Sequence, residues 1–503
     1  MEVRLQYRAA GLLFFLIVAG GGIVACTGGS SSPNGLLPST GGSRSTEPIT
    51  PIKHIVVVIQ ENRSFDDLFA DFPGANGTKV GLAEPMPTPI AQYCASKKQP
   101  VITKPTSVPL TKVNLLGQGF KNNFDWDQDL SHDYVHGYLG DCDSAASQPK
   151  DSNPCKMDGF DLSYSGANGS GSKTSHPTCT YTYQYVDPND ITSYWDVAQQ
   201  YVLADNAFQT QGSLSFTAHQ DLIAGGTAIN SNESVIDDPT YWPWGCDAPP
   251  GVKTSLIETN GQYLGNQGPF PCFTYATIRD QLDAKKISWK FYATKVSGGN
   301  AGIWSAFQAV EAVYNSKEWG TKVTWPDTNV FKDIKAGRLP AVSWITPDAV
   351  NSDHPAEVNK EKVAVDFGPA WVASIVNAIG KSKYWGSTAI VILWDDWGGF
   401  FDHVSPPFYD GQGGLGFRFP MLIVSPYVQP HVEHTQYETA SVVRFIEDNW
   451  NLKTLGQEDS RAIGIENAFD FNQTPRPFQV IPSEYSQSFF LHQTPSGSPP
   501  DTE

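Results

Sequence analysis

The strongest constraint on this chain of 503 residues is a set of short, wholly apolar runs that stop at polar residues. HIVVVIQ (54–60), AVSWITP (341–347), AIVILWDD (389–396) and FPMLIVSP (419–426) are each the length of one strand. A strand without polar alternation has both faces covered, as in a parallel sheet flanked by helices. Between the runs lie segments with helical spacing, such as GPAWVASIVNAIGKS (368–382) and TASVVRFIEDNW (439–450). Strands alternating with helices predict an α/β fold, a three-layer α/β/α sandwich with a largely parallel central sheet. The stretch from about 70 to 190 lacks this rhythm. It is polar, Gly-rich and Cys-bearing, and is expected to form long disulfide-bearing insertions or a cap.

The N-terminus predicts a compartment. Arg4 and Arg8 precede the apolar stretch GLLFFLIVAGGGIVA, which is short and Gly-rich for a membrane span and reads as a signal peptide over residues 1–25. Ile23, Val24 and Ala25 abut Cys26 in the manner of a bacterial lipoprotein cleavage box. Cys26 is therefore expected to carry lipid and to hold an exported protein at a membrane of the cell envelope. Residues 26–51 are Gly/Ser/Thr/Pro-rich, as a flexible tether would be. A catalytic domain is expected over 52–455, followed by a Pro- and Ser-rich extension over 456–503.

Of seven Cys, six remain after Cys26: Cys94, Cys142, Cys155, Cys179, Cys246 and Cys272. An even number in an exported chain predicts up to three disulfides, with the pairing left open. There is no CxxC pair, which disfavours a zinc–thiolate site. A formal net charge of −18 argues against a nucleic-acid partner, because phosphate backbones are held by Lys and Arg. It leaves open a small phosphate ester held locally by a metal or histidines.

In an open α/β sheet, ligands bind beyond the carboxyl ends of the strands. HIVVVIQ is followed there by Glu61 and Asn62, and AIVILW by Asp395 and Asp396. Adjacent carboxylates at a strand end are costly to ionise together unless a cation neutralises them, so these residues are candidate ligands of a divalent metal ion. Taken singly, each pair reads equally well as a helix cap or a turn. Ser215 lies in SLSFTAHQDLIAG (213–225), where a helix start would place its hydroxyl near backbone N–H groups. Most serines at such places are only N-caps. His219 follows by four residues, on the same helical face. His132, His354 and His403 each lie beside carboxylates, in SHDYVH, SDHP and FDHVSPP.

Taken together, ENRSFD after HIVVVIQ, SFTAHQDLIAG, SDHP and WDDWGGFFDHVSPP resemble, in the same order, the bacterial phosphoesterase family of phospholipases C and acid phosphatases. MDGFD (157–161) and GFRFPMLIVSP with Arg418 resemble further family segments. The resemblance implies an alkaline phosphatase-like core and a metal-dependent hydrolase of phosphate esters. It implies metal binding by Glu61, Asn62, Asp395 and Asp396, and a nucleophilic Ser215 that passes through a phosphoseryl intermediate. His132, His354 and His219 are the expected catalytic histidines, and His403 an expected substrate contact. Ser213-Leu214-Ser215 followed by Phe-Thr-Ala-His-Gln is nearer the acid phosphatase branch than the Gly-Pro-Thr context of the phospholipases C, although Ala218 stands where that branch has Asn.

The expected substrate is a small phosphate ester, with a phospholipid as the alternative. A non-catalytic envelope binding protein is disfavoured by the complete set of acids, histidines and Ser215. A sulfatase would want a Cys/Ser-x-Pro-x-Arg context, and a Ser-His-Asp esterase a GxSxG elbow; neither surrounds Ser215.

Overall fold

The computed structural model describes residues 46–115, 130–145, 154–165, 176–295, 303–355, 366–407 and 414–499. The signal segment, Cys26 and nearly all of the tether lie outside them. The residues from Ser45 onward form one compact unit.

Eight strands make the central sheet: β1 (His54–Gln60), β2 (Val202–Ala204), β3 (Trp289–Tyr292), β4 (Val323–Thr324), β5 (Val342–Ile345), β6 (Thr388–Trp394), β7 (Met421–Val424) and β8 (His431–Glu433). Their spatial order is β4-β3-β5-β1-β6-β7-β2-β8. β1 lies at the centre, with Ile55 level with Val342 of β5 on one side and Ala389 of β6 on the other, both in parallel. β7 alone runs against its neighbours β6 and β2. The sheet is thus largely parallel, as expected, but FPMLIVSP enters it in the opposite direction from the other three runs. Burial on both faces dictates an apolar strand whichever way it runs, so composition carries no direction here.

The helices are α1 (Phe65–Phe69), α2 (Thr192–Gln200), α3 (Ser215–Ala224), α4 (Ile278–Ala284), α5 (Asn329–Lys335), α6 (Gly368–Gly380), α7 (Ala440–Asn449) and α8 (Gln487–His492). They form the two outer layers. Trp344 of β5 sits level with Phe291 of β3 and donates its ring N–H to Leu222 O of α3 at 3.2 Å. It is also level with Val57 of β1, which is level with Val391 of β6. Trp394, three residues beyond Val391, therefore faces the other layer, where it meets Tyr194 of α2 edge-on at 4.9 Å. α3, α4 and α7 cover the first face, and α2, α5, α6 and α8 the second. Trp371 of α6 packs edge-on against Phe331 of α5 and Phe490 of α8 at 5.5 and 5.3 Å. The C-terminal extension thus wraps the second face and buries Ile481 and Phe490 in the main core.

The described residues between 80 and 186 carry short strands and short helices, among them Thr88–Ser96 and Leu139–Cys142, over a smaller core of Trp397, Phe401 and Phe417. Cys94–Cys179 and Cys142–Cys155 staple this insertion, and Cys246–Cys272 staples the loops after α3. Among the described residues, no helix is long and apolar enough to cross a membrane.

Candidate active site

The last residues of β1 and β6, Gln60 and Trp394, are level with one another, so Glu61–Asn62 and Asp395–Asp396 leave the sheet at one edge. Backbone bonds lock the two exits together. Asp395 N–H donates to Gln60 O at 3.0 Å, and Arg63 N–H to Asp396 O at 3.0 Å. Asn62 adopts a left-handed φ of +57°, and its N–H donates to Asp395 Oδ1 at 3.0 Å. Gly398 completes the turn at φ +61° and donates to Asp396 Oδ1 at 2.7 Å. A Cβ there would lie 2.4 Å from Asn62 O, so the close approach of the two chains requires glycine.

Ser215 is the first residue of α3 and is buried. Its hydroxyl donates to Asp396 Oδ2 at 3.1 Å. His132 Nε2 lies 3.4 Å from that same oxygen. His132 Nδ1 donates to Leu130 O at 2.6 Å, and since a carbonyl only accepts, Nδ1 carries a proton. Asn62 Nδ2 donates to Nε2 at 2.9 Å, which makes the ring neutral in this arrangement. Trp397 braces the ring edge-on at 5.7 Å and donates its N–H to buried Asp141 at 3.4 Å.

One turn along α3, His219 faces Glu61 rather than the serine. Its Nε2 is 3.2 Å from Glu61 Oε1 and 3.7 Å from Asp395 Oδ2. Glu61, His219 and Asp395 each offer a ligand atom within 4.8 Å of the others, and all three are buried. Burial, and then repulsion from Asp396 and Glu61, push the Asp395 carboxyl well above the ordinary carboxylate range. Among the described residues, its Oδ2 accepts no well-aligned hydrogen bond. Two buried carboxylates and an imidazole converging on such an atom fit a divalent cation. The expected ligand set is therefore brought together differently: His219 joins Glu61 and Asp395. Asn62 turns its amide to His132, and Asp396 gives one oxygen to Gly398 and the other to Ser215.

His354 is buried at the same edge. Its N–H donates to Ser352 Oγ at 3.2 Å, and Ser352 O accepts Glu61 N–H at 2.8 Å. Arg63 clamps the adjoining Asp353 O with Nε at 2.9 Å and Nη2 at 2.6 Å.

His403 joins a different cluster. Its Nδ1 is 2.6 Å from Asp66 Oδ2 and its Nε2 is 3.2 Å from Asn76 Oδ1. Arg418 grips Asp402 with two bonds of 2.9 and 3.0 Å and lies 3.6 Å from Asp66. Burial opposes the imidazolium most strongly, but the hydrogen bond to Asp66 and the negative charges of Asp66 and Asp402 together outweigh it, and the His403 pKa is raised. Asp66, Asp402 and His403 are also close enough to share an ion, but Arg418 already supplies the cation there.

Two contributors are not among the expected site residues, although Asp353 lies within SDHP. Asp353 fixes its loop by accepting from Tyr194 OH at 2.6 Å and Trp394 Nε1 at 3.0 Å. Asp238 accepts Phe216 N–H at 3.1 Å, in the first turn of α3. SVIDDP (234–239) does repeat the pattern of a strand ending in two acids that marks Asp395 and Asp396.

A profile described as the Phosphoesterase family matches residues 52–453. The chain is 25% identical over 475 residues to "Phospholipase C B" of Mycobacterium tuberculosis, covering 85% of this chain and 80% of that one. It is 25% identical over 466 residues to "Non-hemolytic phospholipase C" of Burkholderia pseudomallei, covering 81% of this chain and 56% of that relative. A solved protein of the alkaline phosphatase superfamily from Vibrio parahaemolyticus aligns with a TM-score of 0.32 and 13% identity, over 55% of this chain and 65% of its own.

Proposed function

The chain belongs to the Phosphoesterase family and is a hydrolase of phosphoric ester bonds, and from that premise we propose that it works through Ser215 beside a divalent cation. The observation that carries this reading is the convergence of Ser215 Oγ and His132 Nε2 on one oxygen of Asp396. Glu61, His219 and Asp395 are assigned to hold the cation, with Asn62 and Asp396 bordering it. Bound there, a divalent cation supplies Lewis-acid stabilisation of charge on the phosphoryl oxygens.

Ser215 Oγ gives its proton to Asp396 Oδ2 and forms the bond to phosphorus, while the ester oxygen leaves with the bonding pair. The proton passes from Asp396 to His132 Nε2, 3.4 Å away, and from there to the leaving oxygen. Water then attacks the phosphoseryl group and His132 takes its proton, while the bond from phosphorus to Ser215 Oγ breaks and Oγ regains a proton by way of Asp396. The positive end of α3 favours charge on the transferring group at Ser215. His354 is assigned to a phosphoryl oxygen, and His403 to bracing the loop through Asp66 and Asn76.

The relatives named phospholipase C support a phospholipid diester as substrate. A phosphomonoester is the second reading, favoured by Ser213-Leu214-Ser215 in place of Gly-Pro-Thr. Three disulfides support an exported protein, with Cys26 as its lipid anchor and 52–455 as the catalytic portion. The test is hydrolysis of p-nitrophenyl phosphorylcholine and p-nitrophenyl phosphate by the form lacking residues 1–26, with and without chelator. Chelator-sensitive turnover with the diester preferred is expected. Full activity after exhaustive metal removal would reject the cation's role.

A further inference from the structure

The strand Glu233–Ile236 ends at Asp237, which adopts a left-handed φ of +57°. Such a backbone is strained for a residue other than glycine, and Asp and Asn bear it best. The Asp237 carboxylate is buried and forms no ion pair among the described residues. Neutral donors hold it instead. Tyr134 N–H donates to Oδ1 at 2.8 Å, and Tyr263 OH to Oδ2 at 2.9 Å. Asp237 N–H donates to Ser213 Oγ at 2.7 Å, and Ser213 Oγ lies 3.4 Å from Oδ1. Thr217 Oγ1 donates to that serine at 2.6 Å.

These partners connect two segments that are far apart in sequence. Tyr134 follows His132 by two residues, and Ser213 precedes Ser215 by two. The adjoining Asp238 holds Phe216 N–H. Ser215 and His132 therefore meet at Asp396 on one side and are tied together through Asp237 on the other. A strained backbone and a buried carboxylate are two costs at one residue, and both are met where the tie is made. We propose that Asp237 is a positioning residue that sets the distance between Ser215 and His132. This rests on Ser215 being the nucleophile.

Asp237→Asn tests it, because Asn keeps the left-handed backbone and the shape but turns one acceptor into a donor facing Tyr134 N–H or Tyr263 OH. The expected result is a fall in kcat of about 10- to 100-fold, the size of effect a displacement near 1 Å produces, with KM changed less than about threefold. Tyr263→Phe removes one limb of the tie. It should lower kcat in the same direction, by about 3- to 10-fold, and it decides the matter if Asp237→Asn does not fold. A merely structural role would lower the active fraction and leave kcat per folded molecule unchanged, and that result in either folded variant overturns the proposal. Ser215→Ala is measured alongside. Turnover surviving in Ser215→Ala overturns both the nucleophile and the tie, whereas an inactive Ser215→Ala beside wild-type kcat in Asp237→Asn overturns the tie alone.

Discussion

Glu61, His219 and Asp395 make a signed prediction about stability as well as activity. Without a cation, their facing carboxylates are buried and repel, which is why burial and the neighbouring acids raise the Asp395 titration. A divalent cation that binds the folded chain at 100 times its dissociation constant stabilises it by about 2.7 kcal/mol. The compact unit from Ser45 to Glu503 has an unfolding entropy of roughly 1 kcal/mol/K at about 2 cal/mol/K per residue. The melting temperature should therefore rise by about 3 °C. His219→Ala removes the neutral donor and leaves the two acids, and should abolish most of this shift. His403→Ala, in the cluster already neutralised by Arg418, should leave it intact. Differential scanning fluorimetry of chelator-stripped protein, titrated with Mg2+, Ca2+, Mn2+ and Zn2+ in turn, measures it. An undiminished shift in His219→Ala, for the ion that restores activity, would refute the assignment of these three residues.

Other outcomes follow from the same geometry. His132→Gln should lower kcat by about 100- to 10,000-fold, whereas His403→Gln should stay within a few-fold of wild type; equal losses would contradict the separation of the two clusters. Asp161 is pushed up to about 7 by burial, and among the described residues neither of its carboxylate oxygens accepts a well-aligned hydrogen bond. Because its folded pKa lies above the ordinary 3.8, its stabilising contribution is complete below about pH 4 and lost as pH rises through about 7. Asp161→Asn should thus gain stability over wild type at pH 8, by at most about 4 kcal/mol, and the gain should fade towards pH 4 in melting curves; a pH-independent difference would contradict it. Cys94–Cys179 spans 85 residues and Cys142–Cys155 spans 13, so replacing the first pair by serine should cost about 4.5 kcal/mol and the second about 3 in denaturant unfolding. The reverse order would contradict loop closure as the main source of the stabilisation.

The central strands are legible in the sequence because burial on both faces leaves an unbroken apolar run, as in β1 and β6. β2 and β4 are not, because two or three residues are too few to show a pattern, and β3 is not because Lys290 interrupts its apolar run. The acid pairs after β1 and β6 are legible because neighbouring parallel strands deliver their ends to one edge. The i, i+4 spacing puts His219 and Ser215 on one face of α3, but how far that face is rotated towards Glu61 is fixed by packing. His403 lies only seven residues beyond Asp396, yet Gly398 and Gly399, both left-handed, turn the chain away towards Asp66 and Arg418. SVIDDP marks Asp237 as a strand-end acid but not its role, since its partners lie more than 20 residues away in sequence at Ser213, Tyr134 and Tyr263.

The central claim is that Ser215 is the nucleophile, and rapid acid quench during turnover of p-nitrophenyl phosphorylcholine tests it most directly. Peptide mass spectrometry of the quenched enzyme should find a phosphocholine group on the peptide carrying Ser215, formed in the burst phase and absent from Ser215→Ala, which does not turn over. Sustained turnover by Ser215→Ala, or the phosphoryl group trapped on another residue, would contradict the account.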